Sequence, residues 1–272
     1  QARFVGEALE SVRNQTWPSV QLIVVDDAST DDSAAVIREC LAGLPSTTFL
    51  QLPQNVGNCT AFNKALPFAE GDYIIDFAAD DILLPDRIRV GVEALTAAGD
   101  KFGVNFTDAN WMDEEGRHLY THSSRFPHET IPQGDIYVHL IRRFFICSPT
   151  VMFRTHVIRE LGGYDESLAY EDFDFWMRSS RIFKYCYTPQ VLVQKRVVSG
   201  SMSEKQFKRF SPQLRSTFRI CEKILEMNRS RDEQAALSER IKYEMRVAAR
   251  FLDAPLLAKY ACLWMRNRRK HY

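Results

Sequence analysis

A chain of 272 residues, 45% hydrophobic and 26% charged, suits one large α/β domain of roughly 200 residues plus an appendage. Twelve glycines and 11 prolines exclude collagen-like and low-complexity disordered chains. The formal net charge of zero hides an asymmetry: residues 204–272 carry 17 Lys/Arg against 8 Asp/Glu, so an acidic body precedes a basic tail.

In chain order, Phe4–Val12 reads as a helix that should follow a strand, and a first strand is therefore expected upstream of residue 1. Val20–Val25 reads as a strand ending in Asp26-Asp27, and Ser33–Leu41 as a helix capped from Thr30–Ser33. Thr48–Leu52 is a strand, Cys59–Phe68 a helix stopped near Pro67, and Tyr73–Phe77 a strand running into Ala78-Ala79-Asp80-Asp81. Arg87–Ala98 follows as a helix with Pro85 near its start, then Phe102–Phe106 as a strand. This alternation predicts βα units and a largely parallel sheet. The pattern weakens from Pro127 to Phe145; Thr150–Phe153 then reads as a strand, Asp172–Arg181 as a helix and Val191–Val198 as extended.

After Ser203 the apolar spacing becomes helical. Leu214, Phe218, Cys221 and Leu225 form one stripe, and Leu237, Ile241, Met245, Ala248 and Leu252 a second. A third runs from Leu256 to Trp264, with Lys259, Arg266, Arg268, Arg269 and Lys270 close by. The organisation predicted is a body, 1–203, and a basic amphipathic helical tail, 204–272. The tail's basic face suits an anionic membrane surface; packing on the acidic body and homodimer formation remain the alternatives. Few aromatics interleave with its arginines and no nucleic-acid motif appears, so no nucleic-acid partner is expected.

The closest two of the six cysteines are 19 positions apart, which excludes paired-ligand zinc spacing. Four lie in apolar runs and read as reduced core thiols, which predicts a reducing, cytoplasmic setting. The longest apolar stretch, Pro255–Met265, is interrupted by Lys259 and falls short of the ~20 residues of a membrane span. The chain is expected to be soluble or to lie peripherally on a membrane.

Three acidic constellations are candidates for chemistry. Asp26-Asp27 ends a strand, where open α/β sheets bind ligands, and a carboxylate there accepts from a ribose or a base N–H; helix-capping turn chemistry explains it equally. Asp80-Asp81 follows a buried strand. Two adjacent carboxylates repel unless compensated, and a hard divalent cation shared with phosphate oxygens is one reason for the pair, a capped turn the other. In GGYDESLAYEDFDFWMR, residues 162–178, Glu171, Asp172 and Asp174 lie against Phe173, Phe175, Trp176 and Met177. Apolar surroundings make a carboxylate a better general base, while acidic residues also simply favour a helix start.

VVDDASTDDS, NVGNCTAFNKAL, AEGDYIIDFAADDILLPDRI and LGGYDESLAYEDFDFWMR stand in the order and spacing of the family 2 glycosyltransferases, and the chain resembles that family from about Gln1 to Arg196. The resemblance implies a GT-A fold: a Rossmann-like, mixed but mainly parallel sheet flanked by helices, here with a C-terminal helical extension. It implies an inverting, metal-dependent transfer of sugar from a nucleoside-diphosphate-sugar, a UDP-sugar favoured, to a glycan or lipid-linked acceptor of the bacterial surface-polysaccharide kind. Asp27 then contacts the base with Asp26 beside it. Asp80 and Asp81 hold Mn²⁺ or Mg²⁺, Asp81 as the more direct ligand, with Asp80 also near the donor. Asp172 is the catalytic base, and Glu171 and Trp176 shape the acceptor side.

Two departures from the family pattern stand out. Ala78 replaces a further Asp before the metal pair, and Val198 replaces the His of an Arg-x-His, leaving Lys195 or Arg196 to grip phosphate. Ser199–Ser203 reads as a lid. The competing functions are a non-catalytic nucleotide-sugar or glycan-binding subunit and, with no Gly-rich phosphate loop visible, a nucleotidyltransferase.

Overall fold

The computed structural model describes residues 1–42, 47–127, 130–201 and 208–270. Helix α1 (Val5–Arg13) lays Val5 and Leu9 against Ile37 of α2 (Ser33–Leu41), over β1 (Leu22–Asp26) and β2 (Thr47–Gln51). β1 and β2 pair in parallel, Leu22 opposite Thr47 through Asp26 opposite Gln51. α2 begins where the Asp31 carboxylate accepts from Ser33 N at 3.0 Å and from its hydroxyl at 2.5 Å.

After α3 (Asn58–Ala65) comes a second sheet, built from β3 (Tyr73–Ile75), β4 (Ile82–Leu83), β5 (Phe102–Met112), β6 (His118–Thr121), β7 (Met152–Arg154) and β8 (Lys184–Arg196). Its strand order is β3-β7-β5-β8-β4, with β6 on β5. Helices α4 (Arg87–Ala98), α5 (Tyr137–Arg142), α6 (Thr155–Glu160) and α7 (Asp172–Ser179) flank it. Among the described residues only β1–β2 and β5–β8 run parallel; the other pairings are antiparallel, so the sheet is more mixed than the βα alternation suggests. β6 returns along β5 through the tight turn at Asp113–Arg117, where Gly116 takes φ +80° and no helical crossover is needed.

β5 continues past the expected Phe106 because Thr107 and Asp108 are buried with their polar groups satisfied. Asp108 accepts from Ala109 N at 2.9 Å and Ser123 N at 3.0 Å. β5 and β8 share the longest ladder, Phe102 opposite Lys184 through Met112 opposite Arg196. Their far ends meet β4, where Ile82 opposes Gln194, so the residues just before β4 come to lie beside the end of β8.

The tail forms three helices, α8 (Pro212–Met227), α9 (Arg231–Arg250) and α10 (Ala254–Arg269). Leu214, Ile220, Ile224, Leu237, Ile241, Tyr260 and Leu263 join the same core as Phe145, Phe153, Phe173 and Tyr185 of the body. Part of its basic charge is spent internally: Arg266 reaches Glu222 and Glu226 of α8. Among the described residues no helix is long and apolar enough to cross a membrane. All six cysteines are free, with Cys59, Cys147, Cys186 and Cys221 buried.

Arg240 of α9 joins tail to body. Its guanidinium lies over the rings of Phe144 (4.3 Å) and Phe173 (5.2 Å), donates to Ile141 O at 2.9 Å and pairs with Glu244 at 3.2 Å. Both charges are buried, so Arg240→Ala leaves Glu244 uncompensated. The expected loss is about 3–5 kcal/mol, a fall in Tm on the order of 10 °C by calorimetry.

Candidate active site

Asp26 closes β1 at 3% exposure. Its carboxylate accepts from Ser29 N at 3.1 Å, and its Oδ2 is buried with no hydrogen-bond partner among the described residues. Asp27 uses both oxygens on the loop after β2, accepting from Val56 N and Gly57 N at 2.8 Å each, while its carbonyl takes Asn55 Nδ2 at 3.1 Å. Asp27 thereby fixes one loop against another. A carboxylate offers about four lone-pair sites, so acceptor capacity remains on both oxygens.

Asp80 and Asp81 sit in the turn between β3 and β4, closed by Asp81 N donating to Ala78 O at 3.2 Å. Asp81 is 3% exposed, and its Oδ1 accepts from Arg196 N at 2.8 Å. Burial pushes its carboxyl up to about 7, against the attraction of Lys195. Among the described residues no group of three or more His, Cys, Asp or Glu forms a complete metal cage. Two adjacent hard oxygen donors, one of them desolvated, nevertheless suit Mg²⁺ or Mn²⁺ when phosphate oxygens supply further ligands.

Asp172 is the first residue of α7. Its Oδ2 accepts from Ser148 Oγ at 2.6 Å and its Oδ1 from Phe173 N at 2.6 Å. Glu171 accepts from Asn58 Nδ2 at 2.5 Å. Burial, with Asp172 and Asp76 nearby, pushes the Glu171 carboxyl up to about 8. Asp76, just beyond β3, accepts from Tyr164 Oη at 3.0 Å; burial raises it above the ordinary carboxylate range, and Asp172 adds to that. Burial alone would lower the Lys195 ammonium. The groups around it, Cys147, Asp81, Asp172 and Asp80, raise it above the usual lysine value instead, and it stands 4.9 Å over the Trp111 ring. The charges of the Asp80-Asp81 pair and of Asp172 thus both act on this one cation.

Two candidate residues lie deeper in the fold than the sequence suggests. Trp176 is 3% exposed and packs on Phe144 in the main core. Arg196 is also buried. Its guanidinium donates to Asp80 O at 3.1 Å, Glu114 O at 3.1 Å and Glu7 Oε2 at 2.5 Å, and lies 4.7 Å over Phe4. Those contacts make it a clamp between α1, the metal-pair turn and the β5–β6 hairpin rather than a hand for phosphate. Met202 and Ser203 of the expected lid lie outside the described residues. Residues missed in the sequence are Asp76, Tyr164 and Ser148. Asp76 stood in view in YIID, one strand-end carboxylate before the pair, whereas the other two carried no local signal.

Gly162 and Gly163 adopt φ +74° and +87°. A Cβ at Gly163 would stand 2.6 Å from Asn63 Oδ1, the atom that accepts Tyr164 N at 2.8 Å. The glycine pair thus lets Tyr164 seat against Asn63 and reach Asp76.

The raised Glu171 makes a pH prediction. An acid whose folded value lies above its unfolded one binds its proton more tightly in the fold, so its contribution to stability is lost as pH rises from about 4.5 to about 8. Glu171→Gln removes that loss. The variant's Tm should exceed wild type at pH 8 and converge with it near pH 5.

The fold, an α/β half with carboxylates gathered at its strand ends and a mixed sheet beside it, is of the GT-A kind. The family model described as Glycosyl transferase family 2 matches residues 1–162, more than half of the chain, and the chain belongs to that family. It is 26% identical over 198 residues to an uncharacterized glycosyltransferase of Methanocaldococcus jannaschii, covering 72% of this chain and 66% of the relative. It is also 26% identical to the putative glycosyltransferase EpsE of Bacillus subtilis, covering 95% of this chain and 88% of EpsE. With the chondroitin synthase of Escherichia coli it shares 27% identity over 68% of this chain and 27% of the synthase. The chain spans just under two thirds of the archaeal relative and 60% of a Rickettsia prowazekii one. The S. aureus TarS 1–349 complex with UDP-GlcNAc shares its fold at TM-score 0.68 and 17% identity, over 99% of this chain and 89% of that one. So does the mannosyltransferase PcManGT of Pyrobaculum calidifontis, in complex with GDP-Man and Mn²⁺, at TM-score 0.65 and 14% identity, over 100% of this chain and 73% of that one.

Proposed function

We propose that this chain transfers a sugar from a nucleoside-diphosphate-sugar to a hydroxyl of a glycan or lipid-linked acceptor, with inversion. The observation that carries the reading is the buried Asp81, next to Asp80 and held at the end of β8 by Arg196 N, in a chain of this family. Asp27, with Asp26 beside it, accepts hydrogen bonds from the nucleoside. Lys195, whose ammonium is raised by the charge of the same carboxylates, is the residue that meets the diphosphate. Asp80 and Asp81 hold Mn²⁺ or Mg²⁺, which when bound offsets the negative charge that grows on the leaving diphosphate.

Asp172 takes the acceptor's hydroxyl proton as the oxygen attacks the anomeric carbon and the bond from that carbon to the diphosphate oxygen breaks. Ser148 holds one Asp172 oxygen in place through this step. Glu171, raised by burial to about 8, stays largely protonated at neutral pH and spares Asp172 the repulsion of that further charge. A single displacement needs one base, and Asp172 supplies it. The UDP-GlcNAc complex of TarS supports a UDP-sugar donor, and the GDP-Man complex of PcManGT makes a guanosine donor the second arm of the test.

The test is thermal stabilisation of the chain by UDP, GDP and the other nucleoside diphosphates with Mn²⁺, Mg²⁺ or EDTA. One nucleotide should raise Tm only with metal; uniform indifference to all of them would overturn donor binding.

A further inference from the structure

The tail lies wholly beyond the residues matched by the family model, yet it touches the segment that carries Asp172 at five points. Four residues of α8 reach it. Ser216 Oγ accepts from Ala169 N at 2.8 Å, and Thr217 Oγ1 shares a hydrogen bond with Tyr170 Oη at 2.7 Å. Arg219 donates to Ser167 O at 2.8 Å. Lys223 bridges Asp165 at 2.5 Å and Asp174 at 2.6 Å. Ser216, Arg219 and Lys223 recur at i, i+3 and i+7, so one helix face is devoted to this task.

Asp174 is 1% exposed, and its second oxygen takes Arg178 Nε at 2.6 Å. Arg178 in turn donates to Leu161 O and Gly163 O at 2.9 Å each. The ammonium of Lys223 therefore ends a chain of contacts running from α8 through the first turn of α7 to the Gly162-Gly163 bend that seats Tyr164. On the opposite side of the loop 165–171, α3 supplies Thr60 and Asn63 to Glu166, Cys59 to Leu168 O and Asn58 to Glu171, so α8 and α3 grip the loop from two faces, and of the two it is α8 that also reaches Asp174 inside α7.

We propose that α8 is part of the catalytic apparatus, with Ser216, Thr217, Arg219 and above all Lys223 as positioning residues that hold the loop 165–171 and the start of α7, and so the direction of the Asp172 carboxylate. The inference rests on Asp172 being the base. The tail then acts as a brace on the segment that carries the base rather than as an appendage. Burying Asp174 under two cations fixes α7 along its axis, which loop contacts alone would leave free to rock.

The experiment compares Lys223→Met, Lys223→Arg and, as a control, Arg266→Met, whose side chain pairs with Glu222 and Glu226 on the solvent side of the same helix. Lys223→Met should lower kcat roughly 10–100-fold with the donor KM unchanged, as a misplacement of the base by about 1 Å would. Lys223→Arg should restore most of it, and Arg266→Met should match wild type. Amide hydrogen exchange on the same proteins should be at least about tenfold faster over 165–174 in Lys223→Met, with β2 unchanged. Should Lys223→Met not fold, the Ser216→Ala/Thr217→Val pair reads the same segment with two neutral hydrogen bonds removed.

Unchanged exchange over 165–174, or a fall in kcat that Lys223→Arg does not rescue, overturns the proposal. A wild-type chain that binds no nucleotide and transfers no sugar overturns the functional reading instead, and the exchange data alone then decide the role of α8.

Discussion

Asp172→Asn is expected to lower turnover by about 10²–10⁴-fold while nucleotide-dependent stabilisation stays at the wild-type value. The amide fills the same space, so the position keeps an acceptor for Phe173 N, and the Ser148 hydroxyl can turn to accept from the new NH₂. α7 therefore retains its first turn, and what disappears is the capacity to take a proton. Because the donor meets Asp26, Asp27 and the Asp80-Asp81 turn in the proposed arrangement, its binding does not pass through Asp172. Single-turnover transfer and nucleotide thermal shift, measured on the same protein, separate the two. A kcat within threefold of wild type would remove Asp172 from the role of base and turn attention to Glu171 beside it.

The contrast between Asp172 and Trp176 shows where sequence reasoning stops. Both stand in EDFDFWM, one helical turn apart, and the family resemblance implies an acceptor-side role for Trp176 beside the base. In the structure six of the eight residues of α7 are buried. Phe173, Phe175, Trp176 and Met177 are all buried, because the tail docks on the face opposite the sheet. That docking depends on stripes more than 35 residues away, joined by contacts such as Lys223 to Asp174 that leave no mark in local periodicity.

Arg196 illustrates the same limit with charge. An exposed arginine after a strand grips anions, but Glu7 and the carbonyls of Asp80 and Glu114 converge on this one from three separate parts of the chain. Strand ends were more legible. Asp26, Asp80 and Asp81 fall where runs of apolar residues stop, after LIVV of β1 and shortly after YII of β3. β5 was read short for the converse reason: Thr107, Asp108 and Asn110 look like a loop until Ser123, Thr121 and the neighbouring strands satisfy their polar groups.

Asp81→Asn is expected to abolish metal-dependent nucleotide stabilisation. Asp81 is nearly fully buried and carries Asp80 beside it, so its negative charge is costly until a cation shares it. Lys195 meets part of that need, and a hard divalent ion bridging to phosphate oxygens meets the rest. The amide keeps the hydrogen bond from Arg196 N, now to a neutral oxygen, so the end of β8 and the β3–β4 turn stay in register. In EDTA the variant should therefore melt like a folded protein of the same cooperativity as wild type. With Mn²⁺ and the preferred nucleotide at ~100 times its dissociation constant, wild type gains about 2.7 kcal/mol, roughly 5–10 °C in Tm, and the variant gains little of it. Asp80→Asn separates the two carboxylates: as the more exposed partner it should lose less of the metal-dependent gain than Asp81→Asn. Equal stabilisation of wild type and Asp81→Asn would move the metal, if one binds, to other ligands, and would leave Asp81 as the acceptor that pins β8 to the turn.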